Sequence, residues 1–420
     1  MMRTTGIASV RTVAGDLTAV ARRLLLSRLL RSVCQGALVV DFALYLARLH
    51  WSGAGIGAVV AASFIIGSFL SLIVGPLSDR FGYRRLLVAY EAAMAGAFLA
   101  AALSVNLWIL SAATIFGGFG RGANGAPGCF VPAELAWLAE VVPASRRPAV
   151  YSLNTALGFA GMGCGAVLAA GPYWWADWLP GDAAYRPLFW LGAAIASGNA
   201  LLLSGLGESA ARRKRAAPGA MSRRDLSADE RRALIKLGVI NLFNGLSVGL
   251  SGPLIAYWFA EKFRVGPQQI GLVVAAAFIS TALCATAMAR IAGPLNSVRS
   301  YVRLQWAALL LLLILPLAGD FRSAALLWVL KFTLERGGAG AMEAVSVSLV
   351  SPQRWGLASG LGVATLAMPR SIGPMMTGHW ISVGTFATPL VLAACLQAIY
   401  IAGYQRAFSR RQSIATAPIR

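Results

Sequence analysis

The chain of 420 residues is 58% hydrophobic and only 13% charged, with a mean hydropathy of +0.67, whereas a soluble domain is about a quarter charged. A water-soluble enzyme is excluded on composition. Continuously apolar stretches such as Ala307–Leu315 also exclude an outer-membrane barrel, whose segments of roughly 10 residues alternate. The net charge of +21 and pI near 10.9 would suit nucleic acid if the basic residues were evenly spread, but they segregate. Only Arg48, Arg186, Lys262, Arg264 and Arg322 fall in one alternate set of interhelix loops, while most of the others lie in the N-terminal segment, the opposite loops and the C-terminal tail. This is the positive-inside pattern. It implies a lipid bilayer as partner, no nucleic acid, and a multi-pass protein of a bacterial-type inner (plasma) membrane with both termini cytoplasmic.

A bilayer core demands about 20 apolar residues per helix. Hydropathy and turn residues predict helices over 27–49, 54–76, 86–105, 107–131, 149–171, 187–206, 234–260, 268–290, 302–318, 323–346, 356–377 and 385–408. The chain then divides into a cytoplasmic segment 1–26, a six-helix bundle 27–206, a cytoplasmic linker 207–233, a second six-helix bundle 234–408 and a tail 409–420. The linker contains Arg212-Arg213-Lys214-Arg215 and Pro218-Gly219, the only long polar stretch. No cleavable signal peptide is expected, because Arg3, Arg11, Arg22 and Arg23 are not followed by a short apolar core and a small-residue cleavage site. Cys34, Cys129, Cys164, Cys284 and Cys395 are scattered without metal-ligand spacing, so neither disulfide, metal nor cofactor is expected. His50 and His379 have no ligand companions.

Three internal matches recur in order. Residues 56–65 resemble 270–279, Gly75-Pro76-Leu77 through Leu86 resembles Gly293-Pro294-Leu295 through Leu304, and Arg121-Gly122-Ala123-Asn124 resembles Arg336-Gly337-Gly338-Ala339. Their near-constant spacing points to one duplicated six-helix unit, as in transporters built from two similar halves.

The loop between the second and third helices reads Gly75-Pro76-Leu77-Ser78-Asp79-Arg80-Phe81-Gly82-Tyr83-Arg84-Arg85. Its glycines permit a tight turn, and Asp79 can accept from Arg80 or Arg84, a cluster able to lock one conformation and open in another. This loop resembles the signature of the major facilitator superfamily. In the second copy Asp79 becomes Ser297 and Gly82 becomes Ser300, so the gate of Gly75, Asp79, Arg80, Gly82, Arg84 and Arg85 is expected to be stronger in the first half. Arg121-x-x-Asn124-Gly125 in the fourth helix resembles the family element associated with proton-coupled, drug/proton-antiporter-like members. The fifth helix carries Gly158, Gly161, Gly163 and Gly165 without the Gly-Pro of the family's antiporter signature, and these glycines suit close helix packing.

The resemblance spans the chain. It implies an all-α membrane protein of twelve transmembrane helices in two pseudo-symmetric six-helix bundles, exposing a midplane site to each side in turn. A small-molecule substrate, protons as coupling partner and a monomeric state are implied with it. An intramembrane ionisable residue is a functional candidate by default. Asp41, inside the first helix, is the leading proton site, with Arg121 as its expected partner and Glu134 as a further one. Asp41 corresponds to Ile255 in the repeat. Asn124, Arg336, Glu343 and Arg370 are expected at the substrate cavity, where Arg370 either binds an anionic substrate group or pairs structurally with Glu343, and Lys331 and Glu335, four apart, can neutralise each other. Proton-coupled export of an amphipathic compound is the expected function. An importer or exchanger of an anionic metabolite, using Arg121, Arg336 and Arg370, is the alternative, and a non-transporting receptor on the same scaffold is a second. No Ser/His, metal or paired-carboxylate constellation suggests an enzyme. Tyr173, Trp174, Trp175 and Trp178 read as an interfacial aromatic belt.

Overall fold

The computed structural model describes residues 17–120, 128–143, 146–207, 228–291, 297–337 and 355–415. Among these there is no strand. The long helices are α1 Ala19–Arg48, α2 Gly53–Phe81, α3 Tyr83–Leu103, α4 Leu107–Gly117, α5 Val131–Val141, α6 Arg147–Leu168, α7 Arg186–Ser204, α8 Ala228–Ser251, α9 Ile255–Phe263, α10 Pro267–Ile291, α11 Ser297–Ile314, α12 Phe321–Gly337, α13 Trp355–Ser382 and α14 Thr388–Ala415. Eight helical stretches are long and apolar enough to cross a membrane, and Leu107–Gly117 and Tyr301–Leu317 are shorter apolar helices. With α12 and α13 they make up the twelve spans of a two-bundle fold.

Local chemistry sets the boundaries. Thr18, Ser52 and Asn106 begin α1, α2 and α4 by accepting from the amides of Ala21, Gly55 and Trp108 at 3.2, 3.1 and 2.9 Å, which satisfies donors left over at each helix start. Gly82 separates α2 from α3 at φ 102°, a conformation that costs glycine little. The fourth span departs from the continuous helix expected over 107–131. Here α4 stops at left-handed Gly118, and a second helix, α5, resumes after Phe130. Glycine at the C-cap and Pro132 in the first turn of α5 account for the stop and the restart.

The packing is inside-out relative to a water-soluble protein. Trp108, Leu201 and Leu317 are exposed, whereas Arg28, Arg31, Asp41, Glu91, Glu134, Lys331, Glu335 and Arg370 are buried. Apolar side chains facing outward and charges facing inward are what a hydrocarbon solvent selects. One apolar core runs through both bundles, from Phe42, Phe98, Phe119 and Phe189 to Trp258, Phe259, Phe278 and Phe332. A second core, built around Leu24, Leu87, Trp137 and Leu203, closes the signature-loop end of the first bundle.

The expected glycine face of the fifth span is present. Gly161 and Gly165 lie against the α1 backbone at Leu29 and Val33, and Gly36 of α1 lies against Met162. The two bundles meet through α2 with α13 and through α6 with α10. Gly53 and Gly378 abut each other's backbone, a Cβ on Gly57 would run into the Pro374 carbonyl, and one on Gly271 would run into that of Ala166. Gly57 and Gly271 are equivalent positions of the first internal match, so the duplicated unit uses the same glycine for the same contact. These contacts all lie near the end opposite the Gly75–Arg85 loop, at the starts of α2 and α10 and the finishes of α6 and α13. There the bundles are pressed together backbone to backbone.

Candidate functional site

Three groups of buried charges lie along the bundle interiors. The first joins α1, α3 and α5. Arg31 donates from Nε to Glu91 Oε1 at 2.7 Å, from Nη1 to Glu134 Oε2 at 2.8 Å, and from Nη2 to Ser27 Oγ at 3.3 Å. Its guanidinium also lies 5.5 Å from the Tyr90 ring centroid. Arg28 is buried one turn away, and Gly158 of α6 leaves room for its guanidinium. Two arginines and two glutamates therefore balance within the bundle, as buried ions must to offset their lost hydration.

Glu134 thus has a partner other than the expected Asp41–Arg121 set. It is 1% exposed and held by Arg31, because α5 turns its first-turn carboxylate into the bundle. Arg28 and Arg31, close to the start of the helix expected over 27–49, lie nine and twelve residues past the beginning of α1 at Ala19 and face the bundle interior, where both are buried.

The second group is Asp41 alone. It is 2% exposed, and among the described residues neither carboxylate oxygen has a hydrogen-bond partner. Its α1 neighbours Val39, Val40, Phe42 and Ala43 are buried and apolar. At 1.5 Å per residue it lies about 10 Å from the α1 end at Arg48, in the half where the bundles are pressed together. Arg121 and Asn124 lie outside the described residues, as does Glu343.

The third group occupies the second bundle. Lys331 and Glu335 form the expected pair one turn apart, at 2.6 Å, and Lys331 also reaches Ser251 Oγ at 3.3 Å. Gln305 donates to the Glu335 carbonyl at 3.1 Å and Gln397 donates to Gln305 Oε1 at 3.1 Å. Beside this network stand Arg336, whose Nε and Nη2 are buried without an acceptor among the described residues, and Arg370, whose Nε is likewise unclaimed among them. Arg336 and Glu335 are the charged groups that act on Arg370. The Arg370 guanidinium lies 5.8 Å from the Phe64 ring of α2, so it stands at the seam between bundles. Pro374 deprives the Arg370 carbonyl of its intrahelical donor, and Gly249 of α8 packs directly on that carbonyl.

At the signature loop, Arg84 does not take the role of an Asp79 partner alone: its Nη1 donates to the Leu206 carbonyl at 3.1 Å, and Arg23 donates to Gly205 at 3.3 Å. Both cations cap the carbonyl end of α7, where a helix dipole favours positive charge. Arg80 is exposed and lies 5.3 Å over the Phe81 ring, and Arg85 is exposed. The side chain of Asp79 and the surroundings of Gly75 lie outside the described residues. In the expected aromatic belt, Tyr173, Trp174 and Trp178 are exposed, while Trp175 donates to the Ala184 carbonyl at 2.6 Å.

Arg31, Glu91, Gln305 and Gln397 are buried polar residues that motif reading did not single out. Glu91 carried a usable signal, a lone carboxylate within an apolar span.

A family model described as Major Facilitator Superfamily matches residues 24–236. No curated protein matches the chain in sequence. Among solved structures, the chain is similar to the nucleoside transporter NupG, at 14% identity and TM-score 0.68, covering 93% of this chain and 99% of that one. It is similar to the inward-open xylose transporter XylE from E. coli, at 15% identity and TM-score 0.69, covering 93% and 96%. The human organic anion transporter MFSD10 is similar at 16% identity and TM-score 0.64, covering 92% and 99%. The twelve spans, the duplicated bundles and the matched family model together place the chain: it belongs to the Major Facilitator Superfamily, whose fold is that of a membrane transporter.

Proposed function

We propose that the chain moves a small molecule across a plasma membrane by alternating access, coupled to a proton carried by Asp41. The observation that carries this reading is the Asp41 carboxyl, buried with no hydrogen-bond partner for either oxygen among the described residues. An unpaired carboxylate is costly in hydrocarbon and a proton removes that cost. The state with the bundles pressed together at the far end is therefore the state that holds the proton. Releasing it requires that end to open, which is the coupling a proton-driven carrier needs.

Of the two cargo classes compatible with the sequence, an exported amphipathic compound and an anionic metabolite, the anion is the better match to the arginine donors left unclaimed at the seam.

The test uses the full chain in lipid nanodiscs, with single cysteines introduced at the far ends of α2 and α13 on a background lacking native cysteines. Raising the pH is expected to increase their labelling in the wild type, because ionised Asp41 disfavours the closed far end. Asp41→Asn, which mimics the protonated carboxyl, is expected to keep labelling low at every pH. Identical pH profiles in the two proteins would sink the proposal.

A further inference from the structure

We infer that Arg336 and Arg370 form the binding site for the acidic group of the cargo, a carboxylate or phosphate on a small molecule. The inference rests on the transport reading and names its substrate class. Three observations carry it together.

The first is charge. Among the described residues, Lys331, Glu335, Arg336 and Arg370 bring three cations and one anion into the interior of the second bundle, and that carboxylate is already taken by Lys331 at 2.6 Å. The second is hydrogen bonding. Arg370 is 7% exposed, and its Nε, with the Nε and Nη2 of Arg336, are buried donors without an acceptor among the described residues. Guanidinium donors sit in a fixed planar fork that matches the oxygens of a carboxylate or phosphate, so an acid group supplies both the missing charge and the missing acceptors. The third is place. Arg370 is 12 residues from the far end of α13, and Phe64 is 11 residues from the far start of α2. At 1.5 Å per residue both lie about 17 Å from that end, close to the middle of a bilayer core of about 30 Å. The Arg370 guanidinium faces the Phe64 ring of the other bundle at 5.8 Å, so a ligand on it would sit against both halves.

The arginine of the first bundle supplies the contrast. Arg31 has the same kind of buried guanidinium, but Glu91, Glu134 and Ser27 occupy it. Arg31 is held by two carboxylates, whereas among the described residues no carboxylate hydrogen-bonds to Arg370 Nε or to Arg336 Nε and Nη2.

The experiment follows thermal unfolding of the full chain in detergent at constant ionic strength, titrated separately with inorganic phosphate, citrate, benzoate and a nucleoside monophosphate, with dodecyltrimethylammonium as the cationic control. A ligand that binds the folded form raises stability as ln(1 + [L]/Kd). At least one anion is expected to raise the midpoint of the wild type saturably, and Arg336→Gln and Arg370→Gln each to weaken its apparent affinity tenfold or more. Without ligand, Arg370→Gln is expected to unfold at or above the wild-type temperature, because it removes an unpaired buried charge. A structural role for Arg370 would lower that temperature instead. Asp41→Asn is expected to keep the anion response, so failure of the proton reading leaves this outcome intact, and loss of the anion response leaves the labelling test of Asp41 intact. The inference is overturned if all four anions leave the wild type unchanged, if both arginine variants respond as the wild type does, or if ligand-free Arg370→Gln is destabilised.

Discussion

Arg31→Met removes a guanidinium that donates to Glu91 at 2.7 Å, to Glu134 at 2.8 Å and to Ser27 at 3.3 Å, with both carboxylates about 1% exposed. Two hydrogen bonds between charged groups, at about 1.5–3 kcal/mol each, give a loss of roughly 3–6 kcal/mol. Removing one partner of a buried ion pair typically costs about 3–5 kcal/mol, because the other charge is stranded. The two routes agree on about 4 kcal/mol. For a bundle of this length each kcal/mol moves the midpoint by about 2–4 °C, so the variant should unfold on the order of 10 °C below the wild type in detergent, read by loss of the monodisperse peak after heating. The quadruple variant Arg28→Met, Arg31→Met, Glu91→Gln, Glu134→Gln removes both buried arginines with both carboxylates, leaves no charge of this group stranded, and should regain most of the difference. Arg31→Lys should fall between, since one ammonium cannot reproduce the fork. A single variant within about 3 °C of the wild type, which is about 1 kcal/mol, would refute the reasoning, and so would a quadruple variant no more stable than the single.

Asp41→Asn should leave the unfolding midpoint at neutral pH within about 1 kcal/mol of the wild type, since the carboxyl makes no hydrogen bond among the described residues and the amide is nearly isosteric; a large loss would show that a charged partner holds it. Gly57→Val places a side chain against the Pro374 carbonyl and should shift the protein toward a state open at the far end, seen as faster labelling of cysteines introduced there, while unchanged labelling would argue that the seam is not a moving contact. In the loop before α12, the Ser323 amide donates to Asp320 Oδ1 at 3.0 Å and holds the Asp320 carboxyl below its usual range. A carboxyl lowered in the folded state stabilises it above the unfolded value, near 3.9, and loses that contribution as acid protonates it. Amide exchange at Ser323 should therefore be slower in wild type than in Asp320→Ala at neutral pH, with the difference shrinking below about pH 4; a difference independent of pH would sink the cap.

The fold was legible because its determinants are one-dimensional. Apolar length fixes a span, the placement of Lys and Arg fixes which loops share a side, and the repeat fixes the two-bundle architecture. The Lys331–Glu335 pair was legible for the same reason, four residues on one helix being neighbours by geometry alone. Glu134 was not, because its partner is set by how α5 rotates against α1, and nothing between residues 31 and 134 encodes that rotation locally. Arg31 was passed over since a basic residue near a predicted helix start looks the same whether the helix begins four residues or twelve residues before it. The break after Gly117 was hidden for a further reason: Gly118 and Gly120 take positive φ, yet in a membrane span glycine also serves close packing, so its presence alone does not distinguish the two uses.

The two bundles share a backbone plan but not a charge plan, and that separation bears on where the cargo sits. At the repeat spacing that carries Asp41 to Ile255, Arg31 falls on Gly245, and in the second bundle Gly245 serves close approach of α8 to the Leu366 carbonyl of α13. The position that holds a buried arginine in one copy thus holds a backbone contact in the other. Neither the first bundle's Arg31–Glu91–Glu134 set nor the second bundle's Arg336–Arg370 pair is required by the repeat, so each persists for a reason local to its own half. In the first bundle that reason is visible as internal neutrality, which ties α1, α3 and α5 into one body. In the second, the described residues offer no such neutrality, and Arg370 stands at the seam against Phe64 of the other bundle. On the proposed alternating-access reading, a neutral charge set in one bundle and a cationic pair in the other would give the cargo an anchor on Arg336 and Arg370 and a moving wall at Phe64. On this arrangement Phe64→Ala should weaken transport more than binding, whereas Arg370→Gln should weaken binding tenfold or more and transport with it.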